Sequence, residues 1–217
     1  LVIDGDQVRM GKRKKMYTLE ELIDEVGIDA TRFWMVSRST DTTLDFDVNL
    51  AKSSTDENPV FYVQYAHARC CSILRNACSE RIDAENKETL SALYTQEGLE
   101  TVFASVKRNP EMLSALLEDL DDKAQIVTKN LIFDIENFKD LIYKASRNRS
   151  PHYLARYLID LASSFHSFYS ECRVLNLNPA YPISQPLQDA RLVLVDATRQ
   201  ILYNGLKLLG VSAPESM

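Results

Sequence analysis

The chain has 217 residues, of which 45% are hydrophobic and 26% are charged, so it can bury a substantial core as one principal domain with an accessory piece. No apolar run approaches the roughly 20 residues of a membrane helix, and the start lacks a secretory pattern, so we expect a cytoplasmic protein without membrane contact. The net charge of −6 disfavours indiscriminate binding of polyanions such as DNA. RNA would have to meet a local basic patch, such as residues 9–15 or the group Lys144, Arg147 and Arg149.

The first predicted element is a short β-hairpin within residues 1–10. Asp4-Gly5-Asp6 supplies its turn chemistry. A basic loop, Arg9-Met10-Gly11-Lys12-Arg13, follows. Closely spaced cations on a mobile loop can close over a triphosphate and stabilise the charge that develops as pyrophosphate leaves. The alternative is a solvated basic loop, since charge runs often have no other role.

Two short helices are predicted next. In the first, Thr18 is the N-cap, Glu21 is its capping-box partner and Gly27 is the terminator. The second runs from about Asp29 through Ser37, and a loop at residues 44–47 follows it. These helices connect the hairpin to a region that is helical throughout.

After Pro59 the apolar spacing predicts a helix to about Cys78 and then a succession of further helices. Pro179, Pro182 and Pro186 predict an extended loop, because each proline fixes its own φ and disfavours helix at the preceding residue. Gly210 is predicted to stop the last helix. The further helices are expected near residues 90–94, 99–107, 111–118, 124–144, 151–172 and 187–209.

The cysteines lack the spacing of a disulfide framework or a zinc site, and we expect reduced, mostly buried thiols and no bound metal. A thiol catalyst using His166 is disfavoured, because nothing in the sequence orients a base. The cysteines are Cys70, Cys71, Cys78 and Cys172.

Tyr62, Tyr65 and Arg69 lie on one side of the helix that follows Pro59, because their spacing is i, i+3 and i+7. Two aromatic rings and a guanidinium can stack on unpaired bases and pair with phosphate, as proteins do when they bind RNA loops. The alternative is a core stripe whose tyrosine hydroxyls reach solvent.

The segment Tyr62-Val63-Gln64-Tyr65-Ala66-His67-Ala68-Arg69, the basic loop and the ending Ala213-Pro214-Glu215-Ser216-Met217 together resemble the C-terminal part of class I arginyl-tRNA synthetases. Asp189-Ala190-Arg191-Leu192 also matches the motif after which the anticodon-binding domain of several class I synthetases is named. The resemblance implies an all-α helical bundle, the anticodon-binding domain, at residues 51–217. Residues 1–50 would be a remnant of the catalytic domain, with the hairpin and linking helices.

The basic loop then corresponds to the Lys-Met-Ser-Lys-type signature of class I synthetases, with Arg9 and Gly11 in place of a lysine and the serine. The resemblance implies that Lys12 serves the ATP phosphates, with Met10 and Arg13 beside it. ATP with Mg²⁺ would be the substrate complex of the full-length parent. We expect the 217 residues to lack the ATP-binding core and to be inactive alone.

The same resemblance implies contacts with the anticodon stem-loop of arginine tRNA and suggests structural roles for Gln64 and His67. In the Asp189-Ala190-Arg191-Leu192 motif, Ala190 is expected to pack in the core while Asp189 and Arg191 remain polar. The implied tRNA contacts are Tyr62, Tyr65, Arg69, Tyr169, Arg173, Tyr203 and Met217. Tyr169 and Arg173 are four residues apart, so we expect them on one helix face.

The resemblance implies that the parent attaches arginine to its tRNA. We also expect a monomer. Two alternatives remain at this point. One is a non-catalytic helical module that binds a protein partner through its acidic surface. The other is a cysteinyl or other relative that shares the bundle, although the Tyr62–Arg69 segment and the Pro-Glu-x-Met type of ending favour the arginyl member.

Overall fold

The computed structural model of the protein describes residues 2–3, 6–7, 18–81, 114–116, 121–176, 180 and 182–217. The predicted turn at Asp4-Gly5, the basic loop with Met10, Lys12 and Arg13, and the predicted helices at 90–94 and 99–107 lie outside these residues. Within the described part, no helix is long and apolar enough to cross a membrane.

In the described part of residues 2–52, the elements are two short strands and three short helices. Strands β1 (Val2–Ile3) and β2 (Asp6–Gln7) pair in antiparallel fashion, with Val2 opposite Gln7 and Ile3 opposite Asp6. The helices that follow are α1 (Leu19–Val26), α2 (Ile28–Val36) and α3 (Val48–Lys52).

The predicted capping box of α1 is confirmed. The Glu21 backbone N–H donates to the Thr18 hydroxyl at 3.1 Å, and the Thr18 backbone N–H donates to the Glu21 carboxylate at 2.9 Å. Gly27 has a φ of 85°, which L side chains rarely adopt, and it ends the helix as predicted. Helix α3 was missed, because five residues are too few to show a helical period, although Asp47 caps it by accepting from the Leu50 N–H at 2.9 Å.

Among the described residues, four long helices form the body of the protein and confirm the predicted all-α bundle. They are α4 (Pro59–Arg81), α5 (Asp122–Asn148), α6 (His152–Glu171) and α7 (Gln185–Leu209). The prediction that Pro186 belongs to the extended loop is wrong. Ser184 is the N-cap of α7, so Pro186 lies in the first turn, where a missing N–H costs no helical hydrogen bond.

The bundle core forms where α4, α6 and α7 pack against one another, and α5 covers α6. Its largest fully buried side chains include Phe165, Phe168 and Leu161 of α6 and Leu202 and Leu206 of α7. Helix α4 therefore presents one face to α6 and another to α7. This arrangement decides which of its side chains can meet a ligand together.

Candidate nucleic-acid interface

One face of α4 combines with α6 to form a cluster of aromatic and cationic side chains. We call it the α4–α6 cluster, consisting of Tyr62, Tyr65, Arg69, His166 and Tyr169. The ring centroid of His166 lies 4.9 Å from that of Tyr62 and 5.8 Å from that of Tyr65. The predicted i, i+3, i+7 stripe is therefore one continuous surface, and α6 supplies its other half.

The Arg69 guanidinium is held between two tyrosine rings. Its central carbon lies 5.0 Å from the Tyr65 ring centroid and 5.4 Å from that of Tyr169, and it donates a hydrogen bond to the Tyr65 hydroxyl. Both distances are within the range of cation–π attraction. A guanidinium has five donors, so this arrangement fixes its position while other donors remain for an anion.

A cleft of about 470 Å³ lies beside Arg69, within the size range of about 300–1,000 Å³ typical of small-ligand sites. Arg69, Tyr169 and Arg173 all line it, together with Ser72 and Asn76 of α4. The prediction placed Arg173 one helical turn after Tyr169 on the same helix face. That placement is wrong, because α6 ends at Glu171, yet the segment beyond the helix brings Arg173 to the same cleft.

Tyr62 and Tyr65 are half-buried. Part of each side chain therefore packs inside, as in a core stripe, and part remains accessible, as a contact with RNA requires. Tyr65 stacks on Phe61 with ring centroids 6.0 Å apart, and Tyr62 packs against the core. Tyr169 is 38% exposed. The most accessible aromatic surface of the cluster is therefore the Tyr169 ring, and the Tyr62 and Tyr65 rings are more buried.

His166 is the member of the cluster that the sequence did not reveal. Burial lowers the pKa of its imidazole, the nearby Asp56 carboxylate acts in the opposite direction, and the Arg69 guanidinium lowers it further. The ring hydrogen-bonds to the Tyr62 backbone, and no described residue hydrogen-bonds to its buried Nε2. Its position three residues before Tyr169 was the available signal, since that spacing places both on one helix face.

The other face of α4 binds the C-terminal segment. The Gln64 side-chain amide donates to the Asp29 carboxylate at 2.9 Å and to the Ser212 carbonyl at 3.0 Å, and the His67 Nδ1–H donates to the Pro214 carbonyl at 2.9 Å. Both side chains are buried, which supports the structural roles predicted for them. The segment is thus fixed to the bundle, and Met217 at its end is 57% exposed.

Tyr203 lies on this second face, with its ring centroid 6.2 Å from that of His67. Lys207 Nζ approaches the Tyr203 ring to 5.8 Å, and Tyr203 is 39% exposed. The predicted contacts therefore divide between two surfaces of α4. Tyr62, Tyr65, Arg69, Tyr169 and Arg173 share one, and Tyr203 lies with the C-terminal segment on the other.

The Asp189-Ala190-Arg191-Leu192 motif helps to position the surface that carries Arg173. Ala190 packs in the core as predicted, whereas Arg191, expected to remain with the polar groups, is buried. Burial lowers the pKa of the Arg191 guanidinium, which donates a hydrogen bond to the Arg173 carbonyl. The motif's arginine therefore fixes the segment that carries Arg173.

The described cysteines are buried and form no disulfide with one another, as expected: Cys70, Cys71 and Cys172. Burial raises the pKa of the Cys71 thiol to about 11 and raises that of Cys70 as well, so both are protonated near neutral pH. Thiols in this state are poor nucleophiles and poor metal ligands. Among the described side chains there is no group of His, Cys, Asp and Glu that could hold a metal ion.

Comparison with known proteins connects this geometry to a family. The family described as "DALR anticodon binding domain" matches residues 63–217. The arginine–tRNA ligase of Symbiobacterium thermophilum is 43% identical over 215 residues, covering 99% of this chain and 32% of the relative. That of Moorella thermoacetica is 45% identical over 214 residues, covering 98% of this chain and 32% of the relative.

A solved structure agrees with the sequence relatives. The arginyl-tRNA synthetase of Thermus thermophilus superposes with a TM-score of 0.57 and is 31% identical, covering 95% of this chain and 29% of the neighbour. The chain thus spans about a third of the length of the relatives it matches. From the match over residues 63–217, the chain belongs to the DALR anticodon-binding domain family.

Proposed function

We propose that the chain is the C-terminal, anticodon-binding part of an arginine–tRNA ligase and that it binds the anticodon stem-loop of arginine tRNA. The similarity to arginine–tRNA ligases along nearly the whole chain supports the identity of the parent. The observation that carries the RNA-binding role is the Arg69 guanidinium, held between the Tyr65 and Tyr169 rings beside a cleft.

In this proposal Tyr169 stacks on an unpaired base of the anticodon loop, and Arg69 and Arg173 pair with the adjoining phosphates. Stacking on an aromatic ring contributes about 1 to 3 kcal/mol per base and tolerates any base. Tyr62 and Tyr65 act mainly by holding Arg69 and the α6 face in position, since both are half-buried. Discrimination between bases would then come from hydrogen bonds in the cleft.

The second surface provides further contacts in the same proposal. Tyr203 and Met217 are both partly exposed, and the hydrogen bonds of Gln64 and His67 to the C-terminal segment fix where that segment ends. The exposed Met217 side chain at the end of this segment is flexible enough to pack on an unstacked base. The loop would therefore be contacted on two sides of α4.

The remaining parts of the proposal concern the whole parent, which would attach arginine to tRNA with ATP and Mg²⁺. Residues 1–50 would belong to its catalytic domain, and residues 51–217 to its anticodon-binding domain. Lys12, with Met10 and Arg13, would serve the ATP phosphates there. The parent would be a cytoplasmic monomer, and the 217 residues alone would bind RNA without attaching arginine.

The test is binding of the purified chain to arginine tRNA and to the same tRNA with substituted anticodon bases, titrated over salt. We expect measurable affinity for the first and a clear loss for the second, with Arg69→Ala weakening both. Equal and negligible binding to both RNAs would overturn the RNA-binding role. In that case a protein-interaction role for the bundle becomes the better explanation.

A further inference from the structure

A second basic surface lies where α5 ends and α6 begins, at the far end of α6 from Tyr169. Residues 141–159 contain Lys144, Arg147, Arg149 and Arg156 and no Asp or Glu. The whole chain, in contrast, has 31 acidic against 25 basic residues. This stretch is therefore a local positive region on an acidic protein, and the site described above does not include it.

The cations of this surface are exposed and interleaved with aromatic rings. We call it the α5–α6 corner, consisting of Tyr143, Lys144, Arg147, Arg149 and Tyr153. Tyr143 is 64% exposed, and its hydroxyl accepts a hydrogen bond from Arg147 Nη1 at 3.0 Å. Lys144 Nζ lies 5.0 Å from the Tyr153 ring centroid. These contacts use only part of each cation's donor capacity, because a guanidinium has five donors and an ammonium three.

Arg149 adopts a backbone conformation in which glycine is the usual residue. It is the C-cap of α5 in the left-handed conformation, with φ 53° and ψ 42°, and no other non-glycine residue in the described part of the chain has positive φ. Glycine or asparagine is usual at such a helix end, because a side chain there is strained. An exposed arginine in this strained conformation suggests that the side chain has a functional role, since backbone strain is concentrated at functional sites.

We infer that the α5–α6 corner is a further RNA-binding surface, at which Lys144, Arg147 and Arg149 contact the phosphate backbone of the stem that adjoins the bound loop. This inference rests on the proposed function. From His152 to Tyr169 the axis of α6 extends about 26 Å, at 1.5 Å per residue. A ligand that reaches both ends must be extended, which fits a stem-loop and not a single loop nucleotide.

The chemistry of the corner fits phosphate better than base edges. Double-stranded RNA is bound mainly through its shape, its 2′-hydroxyls and its phosphates, for which exposed cations and a tyrosine hydroxyl are suitable partners. Arg156 is excluded from the surface because it already pairs with Asp160 at 3.3 Å on the same helix. It therefore serves as a matched control of the same charge on a neighbouring part of α6.

The test compares Arg149→Gly with Arg156→Gln, using two RNAs that share the anticodon loop of arginine tRNA. One is the stem-loop, and the other is a single strand of the loop alone. Because glycine relieves the left-handed backbone strain, we expect Arg149→Gly to melt at the wild-type temperature or above. It should bind the stem-loop about fivefold more weakly, with a salt slope lower by about 0.9, and bind the single strand unchanged.

A double variant, Lys144→Gln with Arg147→Gln, should lower the salt slope for the stem-loop by about 2. Wild-type affinity and slope in these variants would overturn the inference while loss of binding by Arg69→Ala still supported the proposed function. An equal loss for both RNAs, or an equal effect of Arg156→Gln, would also overturn it, since the corner would then act only through the overall charge. Absence of RNA binding by the wild-type chain would overturn both proposals.

Discussion

At the residue scale, the site depends on how Arg69 is supported. The Tyr65 hydroxyl accepts a hydrogen bond from Arg69, and its ring lies 5.0 Å from the guanidinium carbon. Tyr65→Phe removes the hydroxyl and keeps the ring, so we expect RNA binding to weaken by about 0.5 to 1.5 kcal/mol with little loss of folding stability. Fluorescence titration of labelled tRNA and urea unfolding measure the two effects separately.

Tyr169→Phe is the matched control, because its ring also faces Arg69 but its hydroxyl has no hydrogen bond with any other described side chain. It should bind RNA as the wild type does. If both variants lose the same affinity, the hydroxyls act on the RNA directly and not through Arg69. The spacing places Tyr65 beside Arg69 on α4, but it could not predict that Tyr169 contacts Arg69, because the sequence does not place α6 against α4.

Also at the residue scale, two buried histidines make the free energy of unfolding depend on pH. Burial lowers the pKa of both His67 and His166, so the folded protein keeps them neutral while the unfolded chain takes up protons below its ordinary value near 6.5. Their stabilising contribution is full above about pH 6.5 and is lost as pH falls through that value towards the folded-state pKa. Urea unfolding at pH 7.5 and 5.5 should show the decrease.

The contribution of one histidine is isolated by urea unfolding of His166→Gln at pH 7.5 and at pH 5.5. We expect a smaller decrease between pH 7.5 and 5.5 than in the wild type, because one group with a lowered pKa has been removed. An unchanged decrease would show that His166 titrates alike in the folded and unfolded chains.

At the element scale, α6 and α7 approach closely at Gly205. A Cβ at that position would lie 2.5 Å from Leu158 Cδ2, closer than real contacts allow. We expect Gly205→Ala to lower the free energy of unfolding by about 1 to 3 kcal/mol, since overpacking forces side chains from their preferred rotamers. Leu158→Ala in the same background should cost less than Leu158→Ala alone, and additive losses would contradict the clash.

The same scale shows what the sequence could predict. The boundaries of α1 were readable because Thr18, Glu21 and Gly27 act locally. The start of α7 was misplaced because proline was treated as a helix breaker, whereas the Ser184 cap makes Pro186 a first-turn residue. Arg173 was expected on α6 because helical spacing says nothing about where a helix ends.

At the scale of the whole molecule, contacts between distant residues fix the surface that carries Tyr203 and the C-terminal segment. Gln64 binds Ser212 across 148 positions of sequence, and Asp29 accepts from both. The resemblance suggested structural roles for Gln64 and His67, but their partners in the C-terminal segment follow only from the packing of α2, α4 and α7. Hydrophobic period predicts that helices form, and it does not specify which polar side chains meet between them.

This dependence predicts a difference between two truncations. Removing residues 212–217 takes away the carbonyl groups to which the buried Gln64 and His67 side chains donate. Each lost hydrogen bond costs about 1 to 3 kcal/mol of folding free energy, so the melting temperature should fall by several degrees. Removing Met217 alone deletes a side chain that is 57% exposed and breaks neither hydrogen bond, so the melting temperature should not change. The shorter truncation should nevertheless weaken tRNA binding, because the proposal places Met217 on the RNA. Calorimetry and tRNA titration of both chains separate the two roles, and unchanged affinity after loss of Met217 would restrict the C-terminal segment to a structural one.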